Sequence, residues 1–169
     1  NLFEMSPDVV VMQSSRSKQV DNQKIFSIED VLHCDIVIAA IPISTFEEFL
    51  THNSKIIKNS ALFVDVCSVK TLPVLWMKTH LPKSIDILAT HPLFGPTSTK
   101  HGTEFAGLKC VFSPIRIQDT QRFQVFQSLF ASRGVSLHTM SPEDHDSLMA
   151  RTQATSFLFG HLGHELQIT

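Results

Sequence analysis

Apolar residues in this chain fall into short unbroken runs, separated by stretches where they recur every three or four positions. The runs are Asp8 to Gln13 (D-V-V-V-M-Q), Asp35 to Ile41 (D-I-V-I-A-A-I), Ala61 to Val66 (A-L-F-V-D-V), Ile85 to Thr90 and Val135 to Thr139. Runs of this length, rich in β-branched residues and bounded by polar and turn-forming ones, predict strands buried on both faces, as in a parallel sheet. Lys24 to Phe26 predicts a further short strand. Cys110 to Ile117 predicts an edge-type strand, because Pro114 has no N–H to give to a ladder. The intervening stretches carry helix starts. Ser27 is an expected N-cap with Asp30 in the reciprocal position, and Ser44-Thr45-Phe46-Glu47 is an S-x-x-E capping box opening a helix to about Asn53. A helix is predicted from about Val69 to His80. Asp119 caps another, with Phe123, Phe126 and Phe130 on one face and Gly134 as its C′ residue. Ser141-Pro142-Glu143 starts a long final helix. Alternating strands and helices predict an α/β domain with a mostly parallel sheet, followed by the start of a helical part.

Length and charge narrow the function. The 169 residues suffice for one domain with a core, or one domain and part of another. The formal net charge of −2, with no basic run, gives no footprint for nucleic acid or an anionic membrane. No apolar stretch is long enough to span a bilayer. The cysteines Cys34, Cys67 and Cys110 are odd in number and widely spaced, which predicts reduced thiols in a cytosol-like compartment rather than a disulfide framework or a metal knuckle. His161, His164 and Glu165 form H-x-x-H-E, which is read as a polar helix face and not as a metal motif.

The stretch from Asp65 to Pro96 gathers the candidate chemistry. It reads D-V-C-S-V-K, then a helical interval, then I-D-I-L-A-T-H-P-L-F-G-P. Ser68 follows one predicted strand and His91 the next, so neighbouring strands would aim a hydroxyl, the Lys70 ammonium and an imidazole into one crevice at the C-terminal ends of the sheet. Ser68 and His91 could be nucleophile and base, but no G-x-S-x-G elbow surrounds Ser68 and no acidic residue is evidently placed to orient His91. His91 is better suited to taking a proton from a substrate hydroxyl. The alternative is a structural histidine in a turn before Pro92. His145-Asp146 is read as a charge pair at a helix start or as part of a site. The long Gly- and Pro-bearing segment from Pro92 to Gly107 is a candidate functional loop.

Ser14-Ser15-Arg16-Ser17 ends the first apolar run. In a dinucleotide-binding sheet an acidic residue here would bind a ribose 2′-hydroxyl, whereas an Arg accommodates a 2′-phosphate. No acidic residue lies between Gln13 and Lys18, and Arg16 can fork onto phosphate oxygens with Ser15 and Ser17 donating. The bland alternative is a solvated polar turn. The chain has six Gly and no G-x-G-x-x-G, the loop that cradles a pyrophosphate. With no start signal at Asn1, the expectation is that a first strand and its Gly-rich loop precede this sequence.

F-V-D-V-C-S-V-K (Phe63 to Lys70), D-I-L-A-T-H-P-L-F-G-P (Asp86 to Pro96) and S-P-E-D-H-D (Ser141 to Asp146), in this order, resemble the prephenate/arogenate dehydrogenase family of tyrosine biosynthesis, and S-S-R-S resembles its NADP-using, arogenate-type branch. The resemblance implies a Rossmann-like nucleotide domain over residues 1–140, without its first strand, and from residue 141 the beginning of a helical domain that forms a homodimer. It implies oxidative decarboxylation of prephenate or arogenate, with hydride passing to NADP (NAD being possible). His91 would bind the substrate hydroxyl and receive its proton, and Ser68 would hold both in place. Lys70 and Gln153 would contribute to the substrate site. Ser15, Arg16 and Ser17 would hold the 2′-phosphate, with the backbone at Ile41 and Pro42 passing close to the dinucleotide. A cytoplasmic location is expected, or a plastid one for a plant source.

The departures are the absent Gly-rich loop and the small extent of the helical part, so the 169 residues alone are expected to be inactive. A His often found four residues after the Gln of this family is Phe157 here. Two other readings stay open: another dehydrogenase of the β-hydroxyacid type, and a non-catalytic, degenerate nucleotide-binding module. The cofactor reading is testable directly. Arg16→Ala in the full-length protein is expected to weaken NADP binding far more than NAD binding in a titration of both cofactors, and equal losses would count against it.

Overall fold

The computed structural model of the chain describes residues 9–15, 25–95, 98 and 104–167, and of residues 163 and 164 the backbone alone. Arg16, Ser17, Lys24 and, within the segment from Pro92 to Gly107, residues 96, 97 and 99–103 therefore lie outside the described residues, as does the side chain of His164. The sheet has five strands in the order β1-β2-β3-β4-β5: β1 (Ile36–Ala39), β2 (Leu62–Asp65), β3 (Asp86–Pro92), β4 (Lys109–Arg116) and β5 (Ser136–Thr139). β1, β2 and β3 run parallel, with Ala39 beside Asp65 and Asp65 beside Ala89. β4 runs antiparallel to β3, and β5 parallel to β4. The sheet is Rossmann-like and mostly parallel, as the alternation of runs and helices predicts.

Helices cover both faces. α2 (Phe46–Asn53) and α3 (Thr71–His80) bury Phe46, Leu50, Val74 and Met77 against Val37, Phe63, Ile87 and Ala89. α4 (Thr120–Ala131) buries Phe126 and Phe130 on the other face, against Val64, Leu88 and Phe112. Adjacent strand residues point to opposite faces, so Phe63 and Val64 serve different layers. The α4 aromatics meet Phe112 at ring-centroid distances of 5.9 Å (Phe126) and 5.3 Å (Phe130), within the range for favourable aromatic pairs.

Helix starts follow the capping chemistry in three places. The Ser27 hydroxyl accepts from Asp30 N–H at 3.1 Å to open α1 (Ile28–Leu32). Asp119 accepts from Arg122 N–H at 2.9 Å to open α4, and Ser141 from Asp144 N–H at 3.0 Å to open α5 (Pro142–Arg151). After α4 the chain reverses at Gly134, which has φ +74°. A Cβ there would lie 3.1 Å from Ala106, so both the conformation and the close approach require glycine.

Four expectations differ. The capping box at Ser44 does not form, because Ile43–Thr45 make a 3-10 turn that takes up the start of the helix. The helix then begins at Phe46 without a side-chain cap. β4 is not an edge strand. Pro114 is tolerated inside the sheet because β5 pairs only with residues 109–112, and because β3 carries a register shift at Ile87/Leu88, opposite Pro114. Residues 9–13 form no strand beyond a single parallel bridge from Gln13 to Ile25, since a β-branched run becomes a strand only with a ladder partner along its length. The long final helix is two, α5 and α6 (Gln153–Glu165), broken at Thr152, whose hydroxyl bonds back to Leu148 O at 2.9 Å.

Phe126 is the test of the aromatic layer. Phe126→Ala is expected to lower the unfolding free energy by about 3–5 kcal/mol. Val125→Ala, at a half-exposed position one residue away, is expected to change it by less than about 0.5 kcal/mol. Urea denaturation of the two variants reads both values.

Candidate active site

The parallel strands β1, β2 and β3 end on one side of the sheet, and the turns beyond them hold the candidate residues. After β2, Val66 to Lys70 leads into α3. After β1, Ile41 and Pro42 lead into the 3-10 turn, whose N-terminus carries no side-chain cap. His91 lies within β3 rather than after it, because pairing with β4 extends the strand to Pro92, with His91 opposite Val111.

Asp65, the last residue of β2, ties two of these turns together. Its carboxylate accepts from Cys67 N–H at 2.9 Å and from Thr90 N–H at 3.3 Å. The Thr90 hydroxyl donates back to the Asp65 carbonyl at 2.6 Å. The Lys70 ammonium bonds the same carboxylate and the Thr90 carbonyl, the latter at 2.5 Å. Asp65 and Lys70 side chains are both fully buried. Burial pushes the Asp65 carboxyl up, while Lys70 and the two N–H groups pull it back. Lys70 thus does not offer its ammonium to the crevice, as its sequence position implied. The charge turns inward because a buried Asp at the strand end needs a cation.

His91 is almost wholly buried, with 5% of its surface exposed. Its Nδ1 lies 2.9 Å from Nε2 of His145, the rings meeting edge to face at 5.1 Å. His145, on α5, is fully buried, and its Nδ1 lies 2.8 Å from Asp146 Oδ1. Asp146 also receives Lys70 N–H at 2.7 Å, Thr71 N–H at 2.9 Å and the Thr71 hydroxyl at 2.5 Å. Those backbone groups are the open N-terminus of α3, so Asp146 acts as its cap from a different helix. Partial burial pushes the Asp146 carboxyl up, but the bonds from Thr71, His145 and Lys70 outweigh it and hold the group down at about 2. His91 is lowered to about 4, first by burial, then by the facing His145 and Lys70, with Asp146 opposing. Its imidazole is neutral at physiological pH.

An acidic residue stands behind His91, one intermediate ring away, where the sequence offered no evident candidate. The adjacent pair His145-Asp146 is the signal that pointed to it, but it stands 54 residues from His91, and only the fold joins them. Ser68 is exposed in the turn between Cys67 and Lys70, next to groups fastened by Asp65. Ser15 is half-buried after the Gln13 bridge, and Ile41 is half-buried and Pro42 exposed after β1. Gln153 is half-buried beyond the break at Thr152. The buried thiols of Cys67, beside Asp65, and Cys110, beside His91, are both pushed up to about 12, first by burial, and remain protonated. A recess of about 750 Å³ lies elsewhere. It lies along the outer side of β1, between residues 9–12 and α4, and is lined mainly by Val10, Met12, Ile36, Val125 and Phe126. Among the described residues no cluster of His, Cys, Asp and Glu could hold a metal, and no helix is long and apolar enough to cross a membrane.

Residues 5–139 match the family described as "Prephenate dehydrogenase, nucleotide-binding domain". The chain is 36% identical over 135 residues to arogenate dehydrogenase 2, chloroplastic, of Arabidopsis thaliana, an alignment covering 77% of this chain and 37% of that protein. The chain spans about a third or less of the length of this and the other curated relatives it matches. Its fold superposes on crystalline prephenate dehydrogenase from Aquifex aeolicus with a TM-score of 0.66 at 23% identity, over 86% of this chain and 55% of that one. The complex of the A. aeolicus enzyme with hydroxyphenyl propionate and NAD+ gives a TM-score of 0.59 at 25% identity, over 76% of this chain and 46% of that one. The match through residue 139, together with the sheet it folds into, means that this chain belongs to the prephenate dehydrogenase family and carries its nucleotide-binding domain.

Proposed function

We propose that the protein containing this chain is an NAD(P)-dependent arogenate or prephenate dehydrogenase in which His91 is the base. The observation that carries this reading is the buried, neutral His91 at the C-terminal side of the parallel strands, held through its other ring nitrogen. Open α/β sheets bind nucleotides beyond these strand ends. The uncapped 3-10 turn after Pro42, with Ile41 and Pro42 before it, leaves backbone there that a nucleotide would approach. NADP is the preferred cofactor in this reading, with Ser15, Arg16 and Ser17 on the 2′-phosphate.

When bound, NAD(P)+ supplies the hydride acceptor. His91 takes the proton from the hydroxyl on the substrate ring, and the alkoxide character that develops favours hydride departure. The ketone formed is an electron sink for loss of carbon dioxide, which leaves an aromatic ring. Ser68 holds the hydroxyl against His91. Lys70 acts from behind, keeping the Asp65 and Thr90 frame rigid and the neighbourhood positive, which favours the neutral imidazole. Gln153 contributes to the substrate site from α6. A homodimer through the helical part belongs to the same reading, supported by the exposed apolar side chains of α6, among them Phe157 (76%) and Phe159 (69%).

Steady-state assays of the full-length protein, with arogenate and prephenate each tried against NADP and NAD, test the reading. Cofactor reduction is expected with one of these substrates, and His91→Ala should lower kcat by about 10² to 10⁴ with a smaller effect on KM. Absence of reduction with every pair, from folded protein that binds NADP, would overturn it.

The pH profile is a separate prediction. His91 works as a base when neutral, and its pKa lies below the ordinary 6.5 at about 4. Activity should therefore persist as pH falls through 6.5 and be lost only near 4. The acid limb of kcat/KM, which reports the free enzyme, reads this value.

A further inference from the structure

We infer that His145 and Asp146 fix the tautomer of His91 and form a proton relay behind it, a role that rests on the reading of His91 as the base. Asp146 meets Lys70 N–H, Thr71 N–H and the Thr71 hydroxyl, so both of its oxygens already accept. The ring nitrogen 2.8 Å from Oδ1, His145 Nδ1, is then the donor and carries a proton. With that single ring proton on Nδ1, His145 has its lone pair on Nε2, which lies 2.9 Å from His91 Nδ1 and accepts from it in the resting arrangement we infer. His91 therefore carries its proton on Nδ1, the less common tautomer of a free histidine, and its Nε2 keeps the lone pair. Nε2 is the nitrogen left to receive the substrate proton.

The same path carries charge away. As Nε2 of His91 gains the hydroxyl proton, the Nδ1 proton moves to Nε2 of His145. His91 returns to neutrality as the other tautomer, and the imidazolium forms at His145, hydrogen-bonded to the Asp146 carboxylate. Protons balance, with one received and one passed on, and no redox partner is needed. His145 is fully buried, so the cation would be costly without Asp146 beside it. These are positioning residues acting through His91. They reach it from α5, so the nucleotide domain obtains a correctly protonated base only when that helix is docked.

Nitrogen-15 NMR of histidine-labelled full-length protein tests the inference in the absence of substrate, because ring-nitrogen shifts report which nitrogen is protonated. The expected result is Nδ1–H for His91 in the wild type and a change to Nε2–H in His145→Phe. His91 carrying its proton on Nε2 in the wild type would overturn the inference whatever the enzyme's activity. In the assay, His145→Phe should lower kcat by about 10²-fold with KM changed by less than about threefold, and an unchanged kcat would overturn the relay. Asp146→Asn keeps one acceptor oxygen for the N-terminus of α3 and serves if His145→Phe does not fold. It is expected to lose kcat in the same way and to shift His91 toward Nε2–H. The two measurements separate the failures: the wild-type spectrum decides the tautomer, and wild-type turnover decides the reaction.

Discussion

The buried pairing of Asp65 with Lys70 is the constraint on which the rest of this domain depends. A carboxylate at the end of a central strand has no water to solvate it, and one partner alone would leave a buried charge. Lys70 supplies the opposite charge from the start of α3, and the shared carboxylate then collects Cys67 N–H and Thr90 N–H. These bonds hold the turn after β2 against the end of β3, which places Ser68 and His91 on one side of the sheet. Removing one member of such a pair typically costs about 3–5 kcal/mol, because it strands the other. Each member therefore requires the other, and the network is the frame of the site.

A second coupling crosses from the sheet domain to the helices that follow it. Asp146 on α5 caps the N-terminus of α3, and His145 beside it meets His91. α3 offers its unpaired N–H groups and the favourable end of its dipole, and a carboxylate from another element satisfies both. The site is thus composite. Its strand residues come from one layer and its orienting residues from a helix near the end of the chain. α6 follows the break at Thr152, with Phe157, Leu158, Phe159 and Leu162 exposed.

Much of the architecture was legible because it follows local rules. Runs such as Asp35 to Ile41 and Ala61 to Val66 became parallel strands, since unbroken apolar sequence suits burial on both faces. Ser27, Asp119 and Ser141 opened helices, since a side-chain oxygen satisfies the first N–H groups wherever it occurs. The readings that failed are those in which a distant partner overrode the local signal. The 3-10 turn at Ile43 displaced the Ser44 box. The short reach of β5 let Pro114 sit inside the sheet, and the few pairing contacts of residues 9–13 left an apolar run without a ladder.

The site divides along the same line. Residue types and spacing in D-V-C-S-V-K and T-H-P-L-F-G-P determined which groups stand at strand ends, because a strand's end and the turn after it are set within a few residues. The direction in which Lys70 turned was decided by tertiary structure, since only the fold shows that Asp65 is shut off from water. So was the partner of His91. An imidazole's tautomer depends on what its second nitrogen meets, and here that nitrogen meets a ring 54 residues away, brought there by the packing of α5 on α3.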